Sequence, residues 1–182
     1  MTWTTSFSLP REKLLEKNAF LTDLPVLAEE WRVSFEIKPT SYNYNGYAQI
    51  LQMTTGGKSG KIGDRTPALW IHKAKGVYIA TTLNDKPNEG NYFKTKKPSL
   101  NEWTSVEISQ VVVGSKYIFS LIIGGETLWS VENTKPRKFY SVKVFASSGW
   151  YAAQEGSIRQ FKIENILSGE TYYPFQQSST AL

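Results

Sequence analysis

Hydrophobic and polar residues alternate along much of this chain with a period of two. Residues 31–37 (WRVSFEI) place four apolar side chains on one face and three polar side chains on the other. Because successive side chains of a β-strand point to opposite faces, this pattern predicts a half-buried strand. The further predicted strands are residues 47–54, 68–72, 77–82, 103–109, 117–123, 127–131, 142–146 and 157–166, with an edge strand at 171–174.

Short turns separate several of these strands. Lys75 and Gly76 lie between the strands at 68–72 and 77–82, and Gly124 to Glu126 lie between the strands at 117–123 and 127–131. Both spacings predict β-hairpins, since glycine adopts the positive φ that tight turns require. One helical candidate stands apart at residues 10–18 (PREKLLEKN), where the proline suits a first helical turn.

Many short strands with almost no helix indicate an all-β protein. The chain has 182 residues, which is large for an immunoglobulin-type sandwich and suits a two-sheet antiparallel jelly-roll β-sandwich. We predict one domain over 1–182, with its core at about 22–167. The N-terminal segment 1–21 carries the short helix, and residues 175–182 form a frayed polar tail.

Composition excludes several classes of function. The chain has no cysteine, so disulfides, a thiol nucleophile and cysteine-bound zinc are all absent. It has neither the pattern of a signal peptide nor the ~18 consecutive apolar residues of a membrane helix. We therefore expect no membrane insertion, while the cellular compartment stays open.

Basic residues give the chain a net charge of +5 and gather in three clusters. An anionic polysaccharide or an acidic protein would explain them, and we predict no nucleic-acid partner. The simpler alternative is that they are solubilising charges in loops. The clusters are Lys58, Lys61 and Arg65; Lys94, Lys96 and Lys97; and Lys135, Arg137 and Lys138.

Four segments together carry a resemblance to the concanavalin A-like lectin/glucanase superfamily. They are WRVSFEIKP at 31–39, QMTTGG at 52–57, GDRTPALW at 63–70 and RQFKI at 159–163. Within that superfamily the chain is most similar to laminin-G-like domains of extracellular animal proteins. A related element there has AspPro where this chain has Ser148 and Gly149. The resemblance implies a concanavalin A-like sandwich and an extracellular location, as a domain or mature fragment, whereas the missing signal peptide also allows a cytoplasmic one.

The superfamily includes enzymes, and the sequence tests for them. Retaining glucanases of this fold carry two glutamates and an aspartate along one strand. This chain has only three aspartates, none of which has a glutamate two residues away. A lyase-type alternative would use His72, Tyr78 and Arg65, provided that they converge on one groove. We therefore predict a non-catalytic protein, with the lyase as a minor alternative.

The resemblance also implies a calcium ion at the rim of a sheet. Asp64 and Asp85 are the candidate ligands, the latter beside Asn84, Asn88 and Glu89 in what the sequence indicates is a loop. Calcium takes six to eight oxygen ligands, so this chain could build one weak site at most. The alternative for Asp64 is a turn acid that accepts hydrogen bonds from its neighbours ahead of Pro67.

Aromatic residues outside the alternating strands are candidates for ligand binding. Sugars pack their C–H faces on aromatic rings, and amides bind their hydroxyls. The loop at 41–47 (SYNYNGY) interleaves both residue types, although its tyrosines could equally pack over the ends of the sheets. The predicted ligand-binding residues are Tyr42, Tyr44, Asn45, Tyr47, Arg65, Trp150 and Tyr151.

These observations predict a recognition or adhesion module that binds a glycan or an extracellular protein, with calcium as a candidate aid. The alternative from a different class is a structural or matrix-assembly domain without a small ligand. Either function allows oligomers, and fold alone does not decide between them.

Overall fold

The structure is a computed structural model that describes residues 11–94, 96–166 and 170–172. These residues form fourteen strands and contain no helix, so no described helix could span a membrane. The strands are β1 (Lys13–Leu14), β2 (Phe20–Leu27), β3 (Trp31–Pro39), β4 (Tyr47–Thr54), β5 (Ala68–His72), β6 (Gly76–Leu83), β7 (Lys86–Phe93), β8 (Thr104–Val113), β9 (Lys116–Ile123), β10 (Glu126–Glu132), β11 (Phe139–Phe145), β12 (Ala152–Ala153), β13 (Gly156–Asn165) and β14 (Glu170–Tyr172).

The strands form two seven-stranded sheets. The first sheet has the order β1-β13-β3-β8-β9-β10, with β14 paired to β13, and the second has the order β2-β11-β4-β5-β6-β7, with β12 paired to β4. The pairs are antiparallel apart from the short β12–β4 contact. The prediction of an all-β, two-sheet jelly-roll sandwich is confirmed.

The main core lies between the two sheets and follows from the alternation in the sequence. In β3, Val33 and Ile37 are fully buried while Arg32 and Glu36 face outward. Val33 lies opposite Ile108 of β8, and both side chains point into the core. Burying such side chains contributes roughly 1.5–3 kcal/mol each.

Every strand predicted from residues 31–37 through 157–166 is present. The sequence did not indicate the two-residue strand β12, nor the longer strands β2 and β7. Both are edge strands with one neighbouring strand in their sheet. Pro25 interrupts the alternation of β2, and edge strands are where proline is tolerated. β7 (KPNEGNYF) is largely exposed and lacks an apolar face. Asn88 and Glu89, predicted to lie in a loop, therefore belong to a strand.

The N-terminal helix predicted at 10–18 is not formed by the described residues 11–18. Lys13 and Leu14 instead pair with Ile158 and Ser157 as β1. Leu14 is 62% exposed and Leu15 is 7% exposed, so the adjacent leucines alternate as in a strand. Pairing with β13 overrides the local helix propensity. Residues 1–10 and the predicted frayed tail 175–182 lie outside the described residues. β14 overlaps the edge strand predicted at 171–174 at residues 171–172, and residues 173–174 lie outside the described residues.

Candidate functional site

The outer face of the second sheet carries an apolar cluster of its own, separate from the main core. Ala68, Trp70 and Ala80 are buried there, with Tyr47, Tyr78 and Tyr151 packed against them. Leu69, Ile71 and Ile79 on the opposite face of the same strands belong to the main core. Strands β5 and β6 are therefore buried on both faces, which is why their sequences are nearly continuous hydrophobic runs.

Five rings form what we call the aromatic cluster: Tyr47, Trp70, Tyr78, Tyr92 and Tyr151. Trp70 lies opposite Tyr78 in the sheet, and Tyr78 lies opposite Tyr92, so three neighbouring strands place their rings in one row. Tyr78 and Tyr92 are stacked with centroids 4.3 Å apart, and Trp70 lies 5.3 Å from both Tyr78 and Tyr151. The hydroxyls of Tyr47 and Tyr92 are hydrogen-bonded to each other.

Arg65 completes a small pocket in this cluster. The pocket has a volume of about 160 Å³ and is lined by Arg65, Trp70 and the tyrosines at 47, 78 and 151. The guanidinium lies 4.6 Å from the Trp70 ring centroid, a cation–π distance. It donates to the Tyr151 hydroxyl at 2.8 Å, to the Lys58 carbonyl at 3.3 Å and to the Asn88 amide oxygen.

Arg65 is a buried cation without a carboxylate partner among the described residues. Its exposed fraction is 5%, and the acceptors around its guanidinium are neutral oxygens. Arg32, Arg137 and Arg159 keep between 31% and 39% of their side chains exposed, yet each pairs with an acid. Removing a charged group from water costs free energy unless a counterion compensates it. Arg65 is the most buried of these four arginines, and no described acid compensates its charge.

Two buried glutamines hold the pocket walls in place. Gln49 accepts hydrogen bonds from the backbone N–H and the hydroxyl of Ser148, at 2.8 and 2.5 Å, and donates to Gln52 at 2.7 Å. Gln52 in turn donates to the Asp64 carbonyl at 3.1 Å. We call these hydrogen bonds of Gln49 and Gln52 the glutamine ladder. They tie the segment that carries Tyr151 and the segment that carries Arg65 to strand β4.

Asp64 acts as a turn acid in this structure. Its carboxylate accepts the backbone N–H groups of Gly60 and Lys61, both at 2.8 Å. A Cβ atom on Gly57 would lie 2.0 Å from the Asp64 carboxylate, so the turn needs glycine there. These hydrogen bonds agree with the prediction that Asp64 is a turn acid, although the donating N–H groups precede Asp64 in the chain.

The two predicted calcium ligands already have partners. Asp85 lies in the β6–β7 turn and pairs with Arg137, while Asp64 is bound within its own turn. Among the described residues there is no group of three or more His, Asp or Glu side chains that could hold a metal ion. The residues present therefore do not form a ready calcium site at either aspartate.

Lysines border the aromatic cluster on two sides. The Lys58 ammonium lies 5.1 Å from the Tyr151 ring centroid, and the Lys75 ammonium lies 5.1 Å from that of Tyr92. Both side chains are exposed, so they can screen or attract charge at the rim of the pocket.

The other two basic clusters lie at opposite ends of β7. Lys96 pairs with Glu126 at the start of β10, next to the end of β7. Arg137 follows the end of β10 and pairs with Asp85, just before β7 begins. The length of β7 separates them by roughly 25 Å, so a continuous basic track through both is not formed.

The remaining predicted ligand-binding residues do not join the pocket. Tyr42 and Tyr44 pack against the main core and donate to the Pro98 carbonyl at 2.6 Å and to Gln154 at 2.9 Å. Burial raises the pKa of both hydroxyls. Asn45 is exposed and Trp150 is 41% exposed, and neither lines the pocket.

The three residues of the lyase alternative lie on one face. Arg65 and Tyr78 line the same pocket, and His72 packs edge-on against Tyr47 at 4.7 Å. His72 Nδ1 accepts the backbone N–H groups of Ala74 and Lys75 at 3.1 and 3.2 Å, so the ring caps the hairpin. Burial, followed by the charge of Lys75, lowers the pKa of His72.

Trp70 and Tyr92 were not among the predicted ligand-binding residues, and Asn88 was predicted only as a neighbour of the calcium candidate Asp85. Trp70 is buried, with an exposed fraction of 1%, yet it lines the pocket, and its indole N–H has no hydrogen-bond partner among the described residues. The available signal was the row of aromatics at equivalent positions of β5, β6 and β7, which becomes visible only when the strand register is known.

Comparisons with known proteins show the fold alone. No family model matches the chain, and no curated protein matches it. The CBM40 domain of the Ruminococcus gnavus IT-sialidase, solved bound to α2,3-sialyllactose, is 14% identical with a TM-score of 0.53, over 83% of this chain and 90% of that one. The receptor-binding domain of botulinum neurotoxin type G is 12% identical with a TM-score of 0.50, over 86% of this chain and 41% of that one.

A third similar structure is alginate lyase AlyC3 in complex with dimannuronate. It is 13% identical with a TM-score of 0.50, over 84% of this chain and 69% of that chain. No laminin-G-like domain appears among these structures, so the laminin-G-like part of the resemblance has no support from the comparisons. The chain shares a β-sandwich fold with glycan-bound proteins, and this likeness does not assign it to one family.

Proposed function

We propose that this protein is a non-catalytic recognition module that binds a glycan on the outer face of its second sheet. The aromatic cluster is the observation that carries the proposal. Three partly exposed tyrosines and a buried tryptophan line a pocket, a fourth tyrosine stacks beside it, and an arginine and an asparagine supply polar groups. Aromatic rings with few convergent polar groups are typical of sugar sites.

The pocket is smaller than the roughly 300–1,000 Å³ of sites for drug-sized ligands. It suits one sugar ring or one substituent, with the rest of the glycan lying across the open row of Tyr78 and Tyr92. Similar folds solved with sialyllactose and with dimannuronate support a glycan as the ligand.

A glycan array followed by calorimetric titration tests the proposal. We expect Tyr151→Ala and Tyr92→Ala each to weaken binding about tenfold or more, since a stacked ring contributes about 0.5–1.5 kcal/mol beyond its buried area. Tyr140→Ala is the matched control, because Tyr140 lies on the same sheet, is 63% exposed and has no part in the cluster. If no glycan binds, the proposal is wrong, and a protein partner or a structural role becomes the favoured function.

A polysaccharide lyase is the second candidate, favoured by the shared face of Arg65, Tyr78 and His72. The chemistry of two of these residues argues against it. Burial raises the pKa of Tyr78 by more than the charge of Arg65 lowers it. The phenolate that a lyase needs as a base is therefore disfavoured. His72 uses Nδ1 to accept backbone N–H groups, so the neutral ring carries its proton on Nε2 and has no free nitrogen lone pair to act as a base.

A lyase would release an unsaturated sugar, whose conjugated double bond absorbs ultraviolet light. We expect no increase in absorbance when the protein is incubated with acidic polysaccharides, even where binding is measured. Turnover that is lost in Tyr78→Phe would replace the recognition proposal with the catalytic one.

A further inference from the structure

Arg65 is the most buried arginine among the described residues, and no described acid pairs with it. We propose that the ligand of the aromatic cluster is an acidic glycan, whose carboxylate-bearing sugar meets Arg65 in the pocket. The inference rests on the proposed function and names the chemical class of the glycan.

A buried guanidinium is costly unless a counterion compensates it. The three neutral oxygens around Arg65 satisfy hydrogen bonds without neutralising the charge. The aromatic face of Trp70 adds a weaker attraction. A ligand carboxylate would supply the missing negative charge at a site where water is largely excluded, and there charge-assisted hydrogen bonds are strongest.

Nearby acids are engaged elsewhere and do not compete for Arg65. The Asp64 carboxylate is held by the backbone of its own turn, and Glu89 pairs with Lys86 at 3.1 Å. Lys58 and Lys75 add two positive charges at the rim of the cluster. Both lysines therefore add positive charge beside the pocket, which favours an anion there.

A carboxylate fits this arrangement better than a heavily sulfated chain. The planar guanidinium fork matches the two oxygens of a carboxylate, whereas lysine offers only a point charge. A polysulfated chain would need basic groups along its length, and the basic clusters around Lys96 and Arg137 lie at opposite ends of β7. Charge is thus concentrated at one point, beside the rings.

The first test changes the ligand and leaves the protein intact. Calorimetric titration compares oligouronates with the same oligosaccharides after reduction of each carboxylate to a hydroxymethyl group, and sialyllactose with lactose. We expect the acidic member of a bound pair to bind about 10- to 100-fold more tightly, as a charged hydrogen bond to a buried partner implies. Raising the salt concentration should narrow this ratio.

The second test changes Arg65. Arg65→Gln should remove the preference for the acid, so that the acidic and neutral members of a pair bind with similar affinity, whatever loss both share because Arg65 lines the pocket. Arg32→Gln is the matched control, because Arg32 lies on the outer face of the other sheet and pairs with Glu107. Should Arg65→Gln fail to fold, the double variant Lys58→Gln/Lys75→Gln removes positive charge from two exposed positions at the rim of the pocket. We then expect the affinity for the acidic glycan alone to fall about two- to fivefold.

The outcomes separate this inference from the proposed function. Equal affinity for acid and neutral partners overturns the inference while the glycan-binding function stands. Tighter binding of a sulfated sugar without a carboxylate overturns the carboxylate assignment. Absence of binding to every glycan overturns both, and an acid preference that Arg65→Gln abolishes supports both.

Discussion

Replacing Gln49 with leucine tests whether the glutamine ladder holds the site together. Gln49 is fully buried, and Gln52 and Ser148 beside it have exposed fractions of 0% and 1%. The leucine side chain fills similar space but offers no polar atom. Gln49→Leu therefore leaves three buried groups without their partner: the Ser148 N–H, the Ser148 hydroxyl and the Gln52 side-chain oxygen.

The size of the effect follows from these three groups. Each buried polar group that loses its partner costs about 1–3 kcal/mol. The Ser148 hydroxyl can rotate, and Gln52 keeps its bonds to the Asp64 and Lys58 carbonyls, so the sum lies at the lower end. We expect the free energy of unfolding to fall by about 3–5 kcal/mol.

Urea denaturation followed by tryptophan fluorescence measures this loss, with the slope against urea checked for two-state behaviour. Ser148→Ala removes one of the three groups, so the double variant should be less destabilised than the sum of the single variants by about 1 kcal/mol. A loss below 1 kcal/mol in Gln49→Leu would refute the account of the ladder.

A matched control separates stability from binding. Gln110 is a similarly buried glutamine of the first sheet, which donates to the Glu29 carbonyl at 2.6 Å and accepts from Asn133 at 2.7 Å. Gln110→Leu should cost a similar free energy of unfolding and leave glycan affinity unchanged. Gln49→Leu should lower both, because it releases the segments that carry Tyr151 and Arg65.

Three further predictions concern other parts of the molecule. Burial raises the pKa of Tyr42 and Tyr44 above the ordinary value of 10.0, so their stabilising contribution is complete below pH 10. Above pH 10 the free energy of unfolding should fall by at most about 1.4 kcal/mol per pH unit for each tyrosine. Denaturation between pH 9 and 11 measures this dependence on pH, and an unchanged dependence in Tyr42→Phe contradicts the prediction. Gly57→Ala places a Cβ against the Asp64 carboxylate and should lower the melting temperature by several degrees, whereas Gly60→Ala, which meets no atom within 4 Å, is the control. Calcium below millimolar concentration should leave the melting temperature unchanged, since weak sites have dissociation constants of roughly 10⁻⁴–10⁻³ M; a rise at micromolar calcium would show a preformed site.

Periodicity predicted the central strands well because each has one face in the core. In β3 the alternation of buried and partly buried residues is complete over nine residues. Strands β2 and β7 were not predicted, because Pro25 interrupts the alternation of β2 and β7 lacks an apolar face. Lys13 and Leu14 were assigned to a helix because local propensity does not show that β13 offers them a partner.

The candidate site was predictable only in part. Tyr47, Arg65 and Tyr151 were among the predicted ligand-binding residues and do meet at the pocket. Tyr42 and Tyr44 belong to the same aromatic-rich loop, yet their rings turn toward the main core. Composition marks such a loop, but the direction of each ring depends on backbone geometry and on contacts between residues far apart in the chain, such as Arg65 with Tyr151.

The glutamine ladder also bears on how fast a ligand binds and leaves. The pocket walls are fixed to a central strand before any ligand arrives, so little conformational entropy remains to be lost on binding. We therefore expect the free and bound backbones to differ by less than about 1 Å, and related glycans to associate at similar rates. Differences in affinity between them should then appear as different residence times.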